Sequence, residues 1–149
     1  MKILNVPKFG EELIYLPFRI EDNKIYVNYY EEGVQAGFPS PAEDFKEVPL
    51  SLDAKYLQNP EATFLIKVAG NSMYPTLQTG DILVVKSNEE LNNNTIGIIS
   101  VNQENFTVKR LDKIKQKLIA DNKEFPDIPI KKEDTLICLG VVKHLIRDL

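Results

Sequence analysis

The alternation of apolar and polar positions sorts the chain into two stretches. From about residue 62, short β-branched and apolar runs follow one another: TFLIKVA (63–69), DILVVKS (81–87), TIGIISV (95–101), NFTVKRL (105–111), KLIAD (117–121) and TLICLGVVKHLI (135–146). Polar, turn-rich segments separate them: TGD, NEELNNN, NQEN and DNKEFPDIP. Runs of this length, bounded by turn signals, predict a compact and mostly antiparallel β-domain. No helix-period segment is long enough to make the chain α/β.

The first 50 residues differ. Their apolar runs are broken by proline, glycine and acid pairs, as in PKFGEE, FRIEDNK and YYEEGVQAGFPSPAED. They read as an extended N-terminal arm with one or two short strands, of which IYVNYY (25–30) is the richest in β-formers. Ser51 is placed to cap a short helix over LDAKYLQN. The expected organisation is an arm over 1–50 and a β-domain over 51–149, with its strands from about residue 62.

Composition narrows the class. At 149 residues, 43% of them hydrophobic, the chain is long enough for one domain with a real core. No run approaches the roughly 18 apolar residues that span a bilayer, and acids and prolines interrupt the N-terminus where a signal peptide needs an apolar core. The chain therefore reads as soluble and cytoplasmic, with no membrane partner. The single cysteine, Cys138, cannot form an internal disulfide, which suits a reducing compartment. Cys138 and Met73 are expected to pack in the core. A net charge of −4 argues against a general nucleic-acid binder. The local exception is KRLDKIKQK (109–117), with five cations and one anion. Alternation puts Lys113, Lys115 and Lys117 on one strand face, expected to protect a solvated edge.

The chemistry is narrowed by elimination. One histidine, His144, and one cysteine leave no cluster for zinc or another metal. No Gly-rich phosphate loop is present, and no cofactor is expected. A lone histidine at a strand end reads as packed or solvated. Serine with lysine remains. A serine hydroxyl needs a base within hydrogen-bond reach, and lysine serves only when neutral. At its reference pKa only about one lysine in 2,500 is neutral at pH 7; burial among apolar groups lowers that pKa. Ser72, in VAGNSMYPTL (68–77), sits in a turn between Gly70, which permits an unusual backbone, and Pro75, which stiffens the exit. Lys67, Lys86, Lys109 and Lys143 all lie in apolar strands, and spacing does not choose among them.

Three motifs together resemble a known family. GNSMYPTLQTGDILVV (70–85) is similar to the nucleophile segment of LexA-type repressors and their relative UmuD, self-cleaving Ser-Lys peptidases whose fold is shared with signal peptidases. FTVKRL (106–111) resembles the strand that carries the family's lysine, and VQAGFPSPAED (34–44) resembles the UmuD-type cleavage segment. EDTLICLGVVKHLI (133–146) resembles the final strands, so the similarity covers about residues 30–146. The resemblance implies Ser72 as nucleophile, Lys109 as base, backbone N–H groups of Asn71 and Ser72 as oxyanion donors, and Ala36–Gly37 as the scissile bond. Ala36 stands where several relatives have cysteine.

Only 36 residues precede Gly37, and they carry four cations against six anions. That is too short and too acidic for a repressor's DNA-reading domain. The resemblance to UmuD implies an SOS-response protein whose self-cleavage is stimulated by a RecA filament on single-stranded DNA. The product would be a homodimeric accessory subunit of a UmuC-type, Y-family translesion polymerase. Two other readings stay open on sequence: a non-catalytic dimer module that binds a polymerase, and a LexA-related phage or plasmid regulator.

Overall fold

A computed structural model of the chain describes residues 7–22, 26–30 and 47–149. These divide into two compact units: residues 7–18 with 61–149, and a smaller one within 19–60. The smaller unit pairs β2 (Val27–Tyr30) with β3 (Glu47–Leu50) antiparallel, followed by helix α1 (Leu52–Tyr56). Ser51 caps α1 as expected, its hydroxyl accepting the Ala54 N–H at 3.4 Å. The segment 34–44, with Ala36 and Gly37, lies outside the described residues.

The larger unit is built on one eight-stranded sheet, and the fold is mostly β as the alternation predicts. The strands are β1 (Leu13–Leu16), β4 (Thr63–Val68), β5 (Ile82–Lys86), β6 (Ile96–Val101), β7 (Thr107–Asp112), β8 (Lys117–Ile119), β9 (Ile128–Pro129) and β10 (Leu136–Ile146). Their order is β1-β4-β5-β10-β6-β7-β8-β9, and every strand pairing is antiparallel. The long C-terminal strand β10 sits at the centre, between β5 and β6.

Each face of the sheet carries an apolar cluster. Successive strand residues point to opposite faces, and on β6 Ile98 joins one apolar cluster while Ile99 joins another. The larger cluster gathers Leu13, Ile66, Met73, Leu77, Leu83, Val85, Ile98 and Val108. Met73 is therefore core, as expected. Leu83, Val84 and Val85 are all buried, which accounts for the unbroken apolar run of β5.

Two expectations are overturned. Lys113, Lys115 and Lys117 do not share a strand face, because β7 ends at Asp112 and β8 begins at Lys117. The Asp112 carboxylate accepts the N–H groups of Ile114 and Lys115, and Gln116 takes a positive φ of 51°, so residues 113–116 turn the hairpin. Nor is Cys138 core: it is exposed, while its neighbours Ile137 and Leu139 pack on the larger cluster. The alternation of β10 turns the thiol outward.

The centre of the sheet has no room for a side chain at Gly140. A Cβ there would lie 2.7 Å from the Lys86 carbonyl oxygen and 2.9 Å from Val85 Cγ1. Gly140→Ala should therefore lower stability by about 1–3 kcal/mol through overpacking. Urea unfolding should give a reduced midpoint at unchanged slope; an unchanged midpoint would contradict this close fit.

Candidate active site

The sheet is curled enough that its sixth strand meets the loop leaving its second. Ser72 follows β4 and Lys109 lies on β7, with β5, β10 and β6 between them in the sheet. Yet Lys109 Nζ stands 3.0 Å from Ser72 Oγ. Ser72 is 4% exposed and Lys109 is 5% exposed. Of the four lysines open on sequence, Lys67 and Lys143 are exposed and Lys86 bonds to Thr63 Oγ1 at 2.8 Å. Lys109 alone among these four is buried beside the serine.

Two strand neighbours of Lys109 hold its amine. Thr107 Oγ1 accepts from Nζ at 2.7 Å and the Val108 carbonyl accepts at 3.1 Å. Thr107 is reachable because residues i and i+2 share a strand face. A neutral amine has two N–H donors and one lone pair. With two donors on Thr107 and Val108, the third N–H of the charged amine donates to Ser72 Oγ; loss of that proton would turn the lone pair toward the serine. Desolvation dominates the environment and pushes the Lys109 pKa down, while the nearby Glu12 carboxylate pushes it back up through its charge and a hydrogen bond.

Glu12 is the residue sequence reasoning missed. The Ser72 hydroxyl donates to Glu12 Oε1, and Lys109 Nζ lies 3.4 Å from the same oxygen. Thr107 Oγ1 donates to Glu12 Oε2 at 2.6 Å. A cavity of about 410 Å³ opens over this group, lined among others by Glu11, Glu12, Gly70, Asn71 and Phe125. His144 lies in β10 opposite Val84 and is not part of that lining.

The serine turn is pinned from several sides. Asn122 donates its backbone N–H to the Ser72 carbonyl and its side-chain amide to the Asn71 carbonyl, both at 3.0 Å. The Thr79 hydroxyl meets the Gly70 carbonyl at 3.1 Å. Arg110, next to Lys109, grips Asp121 with Nε at 2.9 Å and Nη2 at 2.7 Å, and Thr76 donates to the same carboxylate. The Arg110 guanidinium holds the Asp121 carboxyl below its usual range. At the end of the turn, Asp81 is 1% exposed and accepts two bonds from Arg147 and one from the Gln78 N–H. Arg147 lowers the Asp81 pKa in the same way. The GD pair before β5 is thus an anchor for the turn.

Gly70 matters for a reason other than the expected one. Its φ is not in the positive range; instead a Cβ there would meet Glu12 Cγ at 2.9 Å. The Tyr74–Pro75 peptide is cis. Among the described residues no cluster of His, Cys, Asp and Glu could hold a metal ion, and no helix is long and apolar enough to cross a membrane.

The balance of desolvation and Glu12 attraction can be read directly. Nitrogen-15 NMR titration of the Lys109 amine should give a midpoint below the ordinary lysine value of 10.5. A midpoint at or above 10.5 would mean that the carboxylate outweighs burial.

The comparison with known proteins follows the geometry. A family model described as Peptidase S24-like matches residues 28–143. Protein ImpA of Salmonella typhimurium is 36% identical over 113 residues, 75% of this chain and 77% of its own length. Protein SamA of Salmonella typhimurium is 39% identical over 119 residues, 78% of this chain and 82% of its own. The LexA repressor of Haemophilus influenzae is 38% identical over 121 residues, 74% of this chain and 57% of its own. The family match spans most of the chain, both motif strands and the serine turn included. The chain belongs to the Peptidase S24-like family, as a UmuD-type member of the LexA/UmuD group.

Proposed function

We propose that the protein is a self-cleaving serine endopeptidase with Ser72 as nucleophile and Lys109 as base. The observation that carries this reading is the 3.0 Å contact between a buried amine and a buried hydroxyl. Burial favours the uncharged amine, and only the uncharged amine can take a proton. The scissile bond is Ala36–Gly37, in an N-terminal segment that serves as substrate for the Ser72–Lys109 centre.

The chemistry runs in two halves. Neutral Lys109 takes the Ser72 proton as Oγ attacks the Ala36 carbonyl carbon. The C–N bond to Gly37 then breaks, and protonated Lys109 gives its proton to the departing amine. Water attacks the Ala36–Ser72 ester, Lys109 taking its proton and returning one to Ser72 Oγ. The oxyanion donors are the N–H groups of Asn71 and Ser72. A trans peptide points its N–H away from its C=O. The carbonyls of Gly70 and Asn71 are engaged by Thr79 and Asn122, which turns the Asn71 and Ser72 N–H groups the opposite way.

The biological setting rests on family membership. The protein acts in the SOS response, where a RecA filament on single-stranded DNA stimulates the cut. Residues 37–149 then serve, as a homodimer, as the accessory subunit of a UmuC-type translesion polymerase. The protein works in the cytoplasm.

The pure protein, incubated alone, should cleave faster as pH rises. The Lys109 pKa is lowered, so its neutral fraction grows as pH passes a midpoint below 10.5. By pH 9–10 a product beginning at Gly37 should be seen by N-terminal sequencing and intact mass. Ser72→Ala and Lys109→Ala should each slow it by at least about 100-fold. Undiminished cutting in either variant would rule out the dyad.

A further inference from the structure

The segment before β1 crosses the dyad. The Phe106 N–H, just before β7, donates to the Lys8 carbonyl at 2.9 Å, and the Phe9 ring packs on Phe106 at 5.4 Å. Four residues later the Glu12 carbonyl accepts both the Ala69 and Gly70 N–H groups, at 2.7 and 3.1 Å. Leu13–Leu16 then pair along β4, with Leu13 buried in the core. Residues 8–16 thus bridge the strand that carries Lys109 and the strand that leads to Ser72. Glu12 falls between them.

Three features of that placement oppose reaction. The Ser72 proton points at Glu12 rather than at the amine, since the hydroxyl donates to Oε1. Lys109 in turn donates to Ser72 Oγ, which leaves no lone pair facing the proton to be removed. The carboxylate also stands in the cavity over the nucleophile, where an incoming carbonyl would have to sit. The seat is shaped for this side chain: Thr107 Oγ1 donates to Oε2 at 2.6 Å, and Gly70 leaves room that a Cβ, 2.9 Å from Glu12 Cγ, would close. Among the described residues, the charged groups lining this cavity are Glu11 and Glu12 from the crossing segment and Lys109 from β7.

We propose that Glu12 is a built-in inhibitor: its carboxylate occupies the acyl position of the dyad, and the β4 edge beside it is a peptide-binding edge that β1 fills in the resting chain. An extended substrate adds to a sheet edge by backbone pairing, so the Glu12 segment and an incoming strand compete for one place. Activation then requires displacement of Glu12, and whatever favours the displaced state favours reaction. The inference rests on the reading of Ser72 and Lys109 as the dyad.

Reaction of full-length protein with a fluorophosphonate, with Ser72 phosphonylation followed by mass spectrometry, reads the nucleophile without needing self-cleavage. At pH 7.5, the isosteric Glu12→Gln should label about tenfold faster than wild type, through loss of the anion that keeps Lys109 charged. Its rate-against-pH curve should move to lower pH. Glu12→Ala, which also empties the cavity, should label at least as fast. Labelling equal to or slower than wild type in both variants would overturn the inhibitor. Faster labelling with no product starting at Gly37 in any variant keeps the inhibitor and rejects self-cleavage. A Gly37 product formed by wild type, with labelling and cleavage unaltered by Glu12→Gln, keeps self-cleavage and rejects the inhibitor.

Discussion

One amine withdrawn from water beside one hydroxyl is the constraint around which this molecule is arranged. An ammonium group gives up favourable hydration on burial, and that loss is what shifts Lys109 toward its neutral form. The larger unit supplies the burial by curling its sheet until β7 faces the loop after β4. Thr107 and Val108 then fix the amine from the same strand. Lys67, on β4 of the same sheet, is exposed instead.

Holding the amine is half of the arrangement; the hydroxyl must be held as firmly. A misplacement of about 1 Å can cost a reaction 100-fold, and a bare turn would not meet that tolerance. The Ser72 turn is fixed by bonds to Asn122, by Thr76 to Asp121, and by Asp81 to Gln78 and Arg147. Arg110 ties the two halves together. It neighbours Lys109 on β7 and grips Asp121, the residue before Asn122. The strand that positions the amine therefore also braces the loop that positions the hydroxyl. Against this rigid pair stands Glu12, a part-exposed carboxylate on an edge segment, whose attraction for the charged amine opposes the effect of burial.

Much of this was legible in the sequence, and what was not has identifiable physical causes. Six of the seven strands from Thr63 onward follow from β-branched apolar runs bounded by turn residues, both local signals; β9 (Ile128–Pro129) lies in DNKEFPDIP, which reads as a turn. Ser51 capping α1 is equally local. The choice of Lys109 over Lys67, Lys86 and Lys143 was not readable from periodicity, because it depends on how three intervening strands curl; resemblance supplied it. Glu12 left no signal at all. An acid pair in GEEL reads as solvated surface, and only the long-range bridge from Phe9 to Phe106 and from Leu13 to Val68 brings it to the dyad. Gly70 was noticed for backbone freedom, yet its role is to leave space for a side chain 58 positions away, from Gly70 to Glu12. The alternating lysines after Asp112 imitated a strand because alternation does not register an Asp side chain capturing two backbone N–H groups and turning the chain. Cys138 was misassigned by residue type, where the parity of β10 decides.

The central claim is that the uncharged form of Lys109 activates Ser72. Two curves measured on one sample test it most directly: the titration of the Lys109 amine, and the rate of Ser72 acylation by a small reagent, both against pH. The account requires the acylation rate to rise with the same midpoint as the amine, and to lose that rise in Lys109→Met. A rate that ignores the amine's midpoint, or that survives Lys109→Met unchanged, would contradict it.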